Sequence, residues 1–129
     1  SHQAEALQKG VYPQAILVAD LNNLKRVNDA HGHAAGDALL RLFAAYIREL
    51  FPEGEVFRIG GDEFIILLNH TSKEAAVKAI EALQRSCQTF GHTVKNGQVI
   101  YPSAAMGYAI RNHDQERLDD LIARADERM

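Results

Sequence analysis

The order of segments along this chain predicts an α+β fold, a mainly antiparallel sheet with helices packed on it. Three observations predict it. Residues 14–20, Gln-Ala-Ile-Leu-Val-Ala-Asp, form a continuous apolar run between Pro13 and an acid, the pattern of a strand buried on both faces. Two short apolar segments flank Gly60-Gly61, a tight-turn signal between neighbouring strands. Positions 39, 40, 42, 43, 46, 47 and 50 are apolar, which is helical spacing over a long segment.

Taken in order, residues 1–9 carry weak helical spacing (Ala4, Leu7) closed by Gly10 and read as the tail of a helix. The strand at 14–20 follows. Asn22 and Asn23 can cap a short helix carrying Leu24, Val27 and Asn28. Gly32 and Gly36 interrupt, and the long helix is expected over 37–51. Pro52 to Gly54 breaks it. Residues 55–59 read as a strand marked by Val56 and Phe57, and 64–68 as its returning partner. Thr71 or Ser72, with Glu74, marks a helix start. That helix runs to about Phe90, turning Ala76, Val77, Ile80, Leu83 and Cys87 inward, and Gly91 ends it. Residues 93–101 are interrupted by Asn96-Gly97, a strong hairpin signal. Residues 103–110 are a small-residue strand, and 114–129 a final helix with Leu118, Leu121, Ile122 and Ala125 inward. The order is β-α-α-β-β-α-β-β-α. Without its extras it is β-α-β-β-α-β, a ferredoxin-like, palm-type core. Such a core names no function.

The 129 residues are expected to form one domain. No apolar run reaches the ~18 residues of a membrane span, and no signal peptide is visible. Direct membrane contact is therefore not expected. The single cysteine, Cys87, rules out an internal disulfide and fits a reducing, cytoplasmic setting. Net charge is −3, from 14 basic and 17 acidic residues. That argues against nucleic-acid binding, which needs a basic face. A nucleotide ligand remains compatible, because metal ions can hold phosphates and metals want acidic residues.

Two groups of residues carry chemistry. Asp20 ends the buried strand, and Asp62 and Glu63 sit at the Gly-Gly turn. A split β-α-β arrangement can bring these carboxylates to one rim of the sheet. Crowded carboxylates repel unless a cation is present, and Mg²⁺ takes one or two carboxylates plus substrate phosphates. The bland alternative is a solvated turn, since Gly, Asp and Glu are ordinary turn residues. The second group is Asn28, Asp29, His31, His33 and Asp37. A carboxylate can accept from guanine N1–H and its exocyclic amine while an amide bonds O6 or N7. Here the alternative is that Asp37 caps the long helix and the histidines are surface residues. A zinc site is disfavoured: His31-Gly-His33 is too short for a helical pair, and no cysteine is near.

The residues also carry a resemblance. Arg58-Ile-Gly-Gly-Asp-Glu-Phe-Ile-Ile-Leu-Leu resembles the signature of the GGDEF family, the diguanylate cyclases. Residues 20–37, Asp-Leu-Asn-Asn-Leu-Lys-Arg-Val-Asn-Asp-Ala-His-Gly-His-Ala-Ala-Gly-Asp, resemble its other signature, and Ala125-Asp126-Glu127-Arg128-Met129 is similar to its last helix. The resemblance implies condensation of two GTP into cyclic di-GMP and pyrophosphate, with two Mg²⁺ or Mn²⁺ ions and a second such domain as partner. It implies Asp20, the Leu21 carbonyl and Asp62 as metal ligands. Asp62 would also be the proton acceptor, Glu63 its support, and Lys25 a phosphate neutraliser. Asn28 and Asp37 would read guanine, with His33 in the same segment and Gly60 and Gly61 against the nucleotide. Asp37 fits guanine; a subgroup making mixed products carries Ser there.

There are departures. Asn22 stands where many members have Asp, which is expected to weaken metal affinity. Phe51 and Gly54 stand where many carry the R-x-x-D of an inhibitory product site, so that site is expected to be absent. The usual D-x-L-T-G-L-x-N-R opening and the basic residues beyond the last helix are missing, as if the chain were trimmed at both ends. The competing readings are a non-catalytic GTP-binding regulator and another nucleotidyl cyclase or polymerase-like domain.

Overall fold

A computed structural model describes residues 11–129. The elements in chain order are β1 (Gln14–Leu21), α1 (Leu24–His31), α2 (His33–Leu50), β2 (Glu55–Ile59), β3 (Glu63–Leu68), α3 (Lys73–Thr89), β4 (His92–Thr93), β5 (Val99–Ile100), β6 (Ala104–Arg111) and α4 (Leu118–Glu127). This is the expected element order. The main sheet runs β2-β3-β1-β6, and β4 and β5 form a separate hairpin. Every pairing in both sheets is antiparallel.

Strand β1 is central, which explains its unbroken apolar run. Ala15, Leu17 and Ala19 face one core with Phe43 and Ile47 of α2 and Leu83 of α3. Ile16 and Val18 face the other, with Ala109 of β6 and Leu121 and Ala125 of α4. An antiparallel strand normally alternates because one face is wet; here helices cover both faces. Cys87 belongs to the first core, and burial pushes its thiol up to about 11. It is the inert core residue its helical position predicts. Tyr46 shares that core and donates its hydroxyl to the Phe90 carbonyl.

Four expectations are corrected. The long helix begins at His33, not Asp37. Gly36 does not interrupt the helix: it lies inside the first turns, where it packs on Asn28 of α1. Asp37 therefore does not cap the helix. Asn23 precedes α1 with φ 62 and makes no side-chain cap bond. The last helix starts at Leu118, not at 114. The buried Arg111 holds the preceding loop in a non-helical form, donating to the carbonyls of Asp114 at 2.8 Å and Glu116 at 3.1 Å. The strands around Asn96-Gly97 are two residues each, shorter than expected. Gly97 takes φ 89, and Asn96 Oδ1 accepts from Gln98 N–H at 2.8 Å, so the turn chemistry is as predicted. The expected helix tail at 1–9 lies outside the described residues.

Candidate active site

The β1–β3 register sets Asp20 opposite Glu63 at one rim of the sheet. The Leu21 N–H donates to the Asp62 carbonyl at 2.9 Å, continuing the ladder past the strand end. This joins the end of β1 to the β2–β3 turn. Within that turn, Arg58 donates through Nε and Nη2 to the Gly61 carbonyl at 3.1 and 2.6 Å. Gly60 has φ 67, a left-handed conformation that favours glycine. A Cβ at Gly60 or Gly61 would meet nothing within 4 Å. The turn's backbone thus faces open space in which a ligand can lie against it.

The carboxylates sense one another. Burial holds the Asp20 carboxyl above its ordinary range, and the charge of Asp62 and a hydrogen bond with its side chain push it further. Burial also raises Glu63, followed by the charges of Asp126, Asp20 and Asp62. Asp20 Oδ1 is buried and has no hydrogen-bond partner. Such an oxygen costs free energy in water-free surroundings unless a cation or proton satisfies it. Among the described residues, no three His, Cys, Asp or Glu side chains are spaced to hold a metal ion by themselves. The donor set that fits is two carboxylates, a nearby main-chain carbonyl and oxygens from a substrate, which is how Mg²⁺ is commonly held.

Sequence reasoning missed Asp126. It lies on α4, far along the chain, and only the crossing of α4 over β6 brings it near. That crossing is very close at Gly107, where a Cβ would stand 2.0 Å from the Ala125 carbonyl oxygen. Arg58 was also missed as a turn brace, although its place just before Gly60-Gly61 was a usable signal. The amide of Asn22 turns to Ser103, donating to its Oγ at 3.2 Å.

Asn28 and Asp37 come from adjoining helices. Asn28 Oδ1 accepts from Gly36 N–H at 2.9 Å. Asp37 lines a cavity of about 190 Å³ with Leu40, Arg41, Ala44, Arg58 and Phe64. Apolar walls beside a carboxylate suit a planar base, and Arg58 links this cavity to the turn. Lys25 and His33 are exposed, on α1 and at the start of α2. Neither is among the charges that act on Asp20 or Glu63.

The family profile described as "Diguanylate cyclase, GGDEF domain" matches residues 1–129. The chain belongs to the GGDEF domain family. It is 34% identical over 113 residues to Diguanylate cyclase A of Treponema denticola, covering 87% of this chain and 30% of that protein. It is 34% identical over 116 residues to Diguanylate cyclase DosC of Escherichia coli K12, covering 88% of this chain and 25% of that one. The chain thus spans less than a third of either relative. Among solved structures, the GGDEF domain of PA1120 (YfiN or TpbB) from Pseudomonas aeruginosa is 31% identical with a TM-score of 0.79, covering 97% of this chain and 79% of that one. The GGDEF domain of DgcB from Caulobacter crescentus, solved in complex with c-di-GMP, shares the fold at 23% identity and a TM-score of 0.82, over 97% of this chain and 74% of that one.

The GGDEF fold also sets the surroundings of Phe51 and Gly54. They line a cavity of about 450 Å³ with Leu50, Pro52, Leu68 and Ala75, and no Lys or Arg among the described residues lines it. It lies at the far end of β3 from the turn, roughly 17 Å away at ~3.4 Å per residue. No helix among the described residues is long and apolar enough to cross a membrane.

Proposed function

We propose that this chain condenses two GTP molecules into cyclic di-GMP, releasing two pyrophosphates. The observation that carries the reading is the convergence of Asp20, Asp62 and Glu63 at one rim, with Asp20 Oδ1 buried and partnerless. Divalent ions, two of Mg²⁺ or Mn²⁺, held by Asp20, the Leu21 carbonyl and Asp62 together with substrate phosphates, would neutralise triphosphate charge and acidify the 3′-hydroxyl.

The chain's own groups have distinct tasks. Asp37 accepts from guanine N1–H and its exocyclic amine, and Asn28 bonds the same base, with His33 in the same segment. The bare backbone of Gly60 and Gly61 lies against the nucleotide. Lys25 neutralises phosphate. Asp62 takes the proton of the 3′-hydroxyl, and Glu63, beside it in the chain, supports it. The 3′-oxygen then bonds to the α-phosphorus of the other GTP, and the bond from that phosphorus to the bridging oxygen of the pyrophosphate breaks. A second copy of the domain presents the second GTP, and the same step repeated closes the ring. Catalysis rests on positioning and charge neutralisation. The cytoplasm, where GTP is found, is the proposed location.

The rival is a GTP-binding regulator that makes no product. The neutral amide at Asn22, engaged with Ser103 Oγ, is what favours it. Incubation with GTP and Mg²⁺, comparing the chain with Asp62→Ala, separates the two. The proposal expects cyclic di-GMP from the first, with turnover lost by ~10² or more in the variant. GTP binding without product in both would support the regulator.

A further inference from the structure

Gly36 is buried on α2, beside Asn28 of α1. Its N–H donates to Asn28 Oδ1 at 2.9 Å. A Cβ on Gly36 would stand 2.2 Å from that oxygen, 2.9 Å from Asn28 Cγ and 3.0 Å from Nδ2. No real Cβ tolerates such distances, so the amide occupies space that only a glycine leaves open. The preceding turn is arranged around the same contact. The Gly32 carbonyl accepts from Ala35 N–H at 3.1 Å, and the Asn28 carbonyl accepts from Gly32 N–H at 2.8 Å.

We propose that Gly36 is a specificity-determining positioning residue: it pins Asn28 Oδ1, so that Asn28 offers a bound base only the donors of its Nδ2. This rests on the base-reading role given to Asn28 above. The two ends of an amide are ordinarily hard to tell apart. Here the partner is a main-chain N–H, which can only donate, so the atom facing it is the oxygen. The free end is then the NH₂. Asp37, the neighbour of Gly36 in sequence, offers only acceptors when ionised. The pair therefore presents one fixed donor arm, Asn28, beside an acceptor, Asp37.

Guanine has the complementary edge, with acceptor O6 and N7 beside donor N1–H and an exocyclic amine. Adenine carries an amine where guanine has O6 and an acceptor at N1. An unpinned Asn28 could rotate and offer Oδ1 to adenine's amine. With Gly36 in place, that rotation would break the 2.9 Å bond and set NH₂ against N–H. The glycine thus removes the accommodation that a flexible amide would make.

The test measures binding of the α,β-methylene analogues of GTP and ATP with Mg²⁺, which cannot release pyrophosphate and so report binding without turnover. The variants are Gly36→Ala, Asn28→Ala, the double variant and Asn28→Asp. The added methyl collides only with the end of a side chain, and alanine suits a helix better than glycine, so Gly36→Ala is expected to fold. It should bind the guanine analogue about tenfold more weakly and prefer it less over the adenine analogue. The double variant should bind like Asn28→Ala, because both substitutions remove one interaction. Asn28→Asp leaves Gly36 untouched and keeps an oxygen for its N–H while replacing the donors; it should lose as much as Asn28→Ala. Gly36→Ala or Asn28→Asp binding like the original, while Asn28→Ala is impaired, would overturn the proposal and leave the base-reading role standing. Unchanged binding by Asn28→Ala would overturn both.

Discussion

Replacing Gly107 by alanine tests how α4 is held against the sheet. Gly107 pairs with Val18 of β1, and a Cβ there would lie 2.0 Å from the Ala125 carbonyl oxygen and 3.1 Å from the Ala125 carbonyl carbon. Ordinary contact begins at 3.4 Å, so backbone must separate from backbone by about 1.4 Å, with no flexible side chain to absorb it. The shift would pull Leu121 and Ala125, both fully buried, off Ile16, Val18 and Ala109. Overpacking costs about 1–3 kcal/mol; the rigid opponent puts this case at the upper end. At ~4 °C per kcal/mol for a chain of this size, the midpoint should fall by about 10 °C. Thermal and urea unfolding followed by circular dichroism would measure it. Gly97→Ala is the control, because its cost comes from φ 89 alone, with nothing within 4 Å of the new carbon; about 1 kcal/mol is expected. A Gly107→Ala midpoint within 2 °C or so of the original would refute the tight crossing, and with it the reason Asp126 reaches the carboxylates.

Asp20→Asn should stabilise the metal-free protein at neutral pH by about 1 kcal/mol, after allowing for solvent screening. The raised Asp20 and Glu63 pKa values contribute stability that is present below their unfolded values, near pH 4, and lost as pH rises through the folded ones. With a chelator, the original protein should therefore lose stability relative to Asp20→Asn between about pH 4 and neutrality, and Mg²⁺ should raise the midpoint of the original alone. A variant that remains equally stabilised by Mg²⁺ would remove Asp20 from the metal site. Cyclic di-GMP should not inhibit turnover through the Phe51–Gly54 turn, whose cavity is lined by no Lys or Arg among the described residues. Strong non-competitive inhibition abolished by substitutions at Phe51 or Gly54 would sink that expectation.

The parts of this molecule legible in the sequence are those fixed by local chemistry. The apolar run of β1, the Gly60-Gly61 turn, the Ser72 start of α3 and the Asn96-Gly97 turn each depend on a few neighbouring residues. Ser72 accepts from Ala75 N–H at 3.2 Å, as its type and place predict. The adjacency of Asp20 to the turn was legible too, because a split β-α-β order makes the first strand and the hairpin neighbours. What local patterns missed depends on tertiary contact. Gly36 reads as a helix breaker until Asn28 is seen filling the space beside it. The late start of α4 follows from Arg111, whose guanidinium takes two loop carbonyls. For Asp126 the resemblance of 125–129 marks only a last helix, not nearness to the acidic rim, which comes from the packing of α4 on Gly107.

Condensation of two GTP at the acidic rim is tested most directly by a mass balance. GTP is incubated with Mg²⁺ and the protein at increasing concentration, and nucleotides and pyrophosphate are quantified together. Condensation yields one cyclic di-GMP and two pyrophosphates for every two GTP consumed, with a rate per domain that rises with concentration as pairs form. GTP bound but unconsumed at the highest concentration would contradict it, as would a linear dinucleotide or cleavage to GDP as the main product.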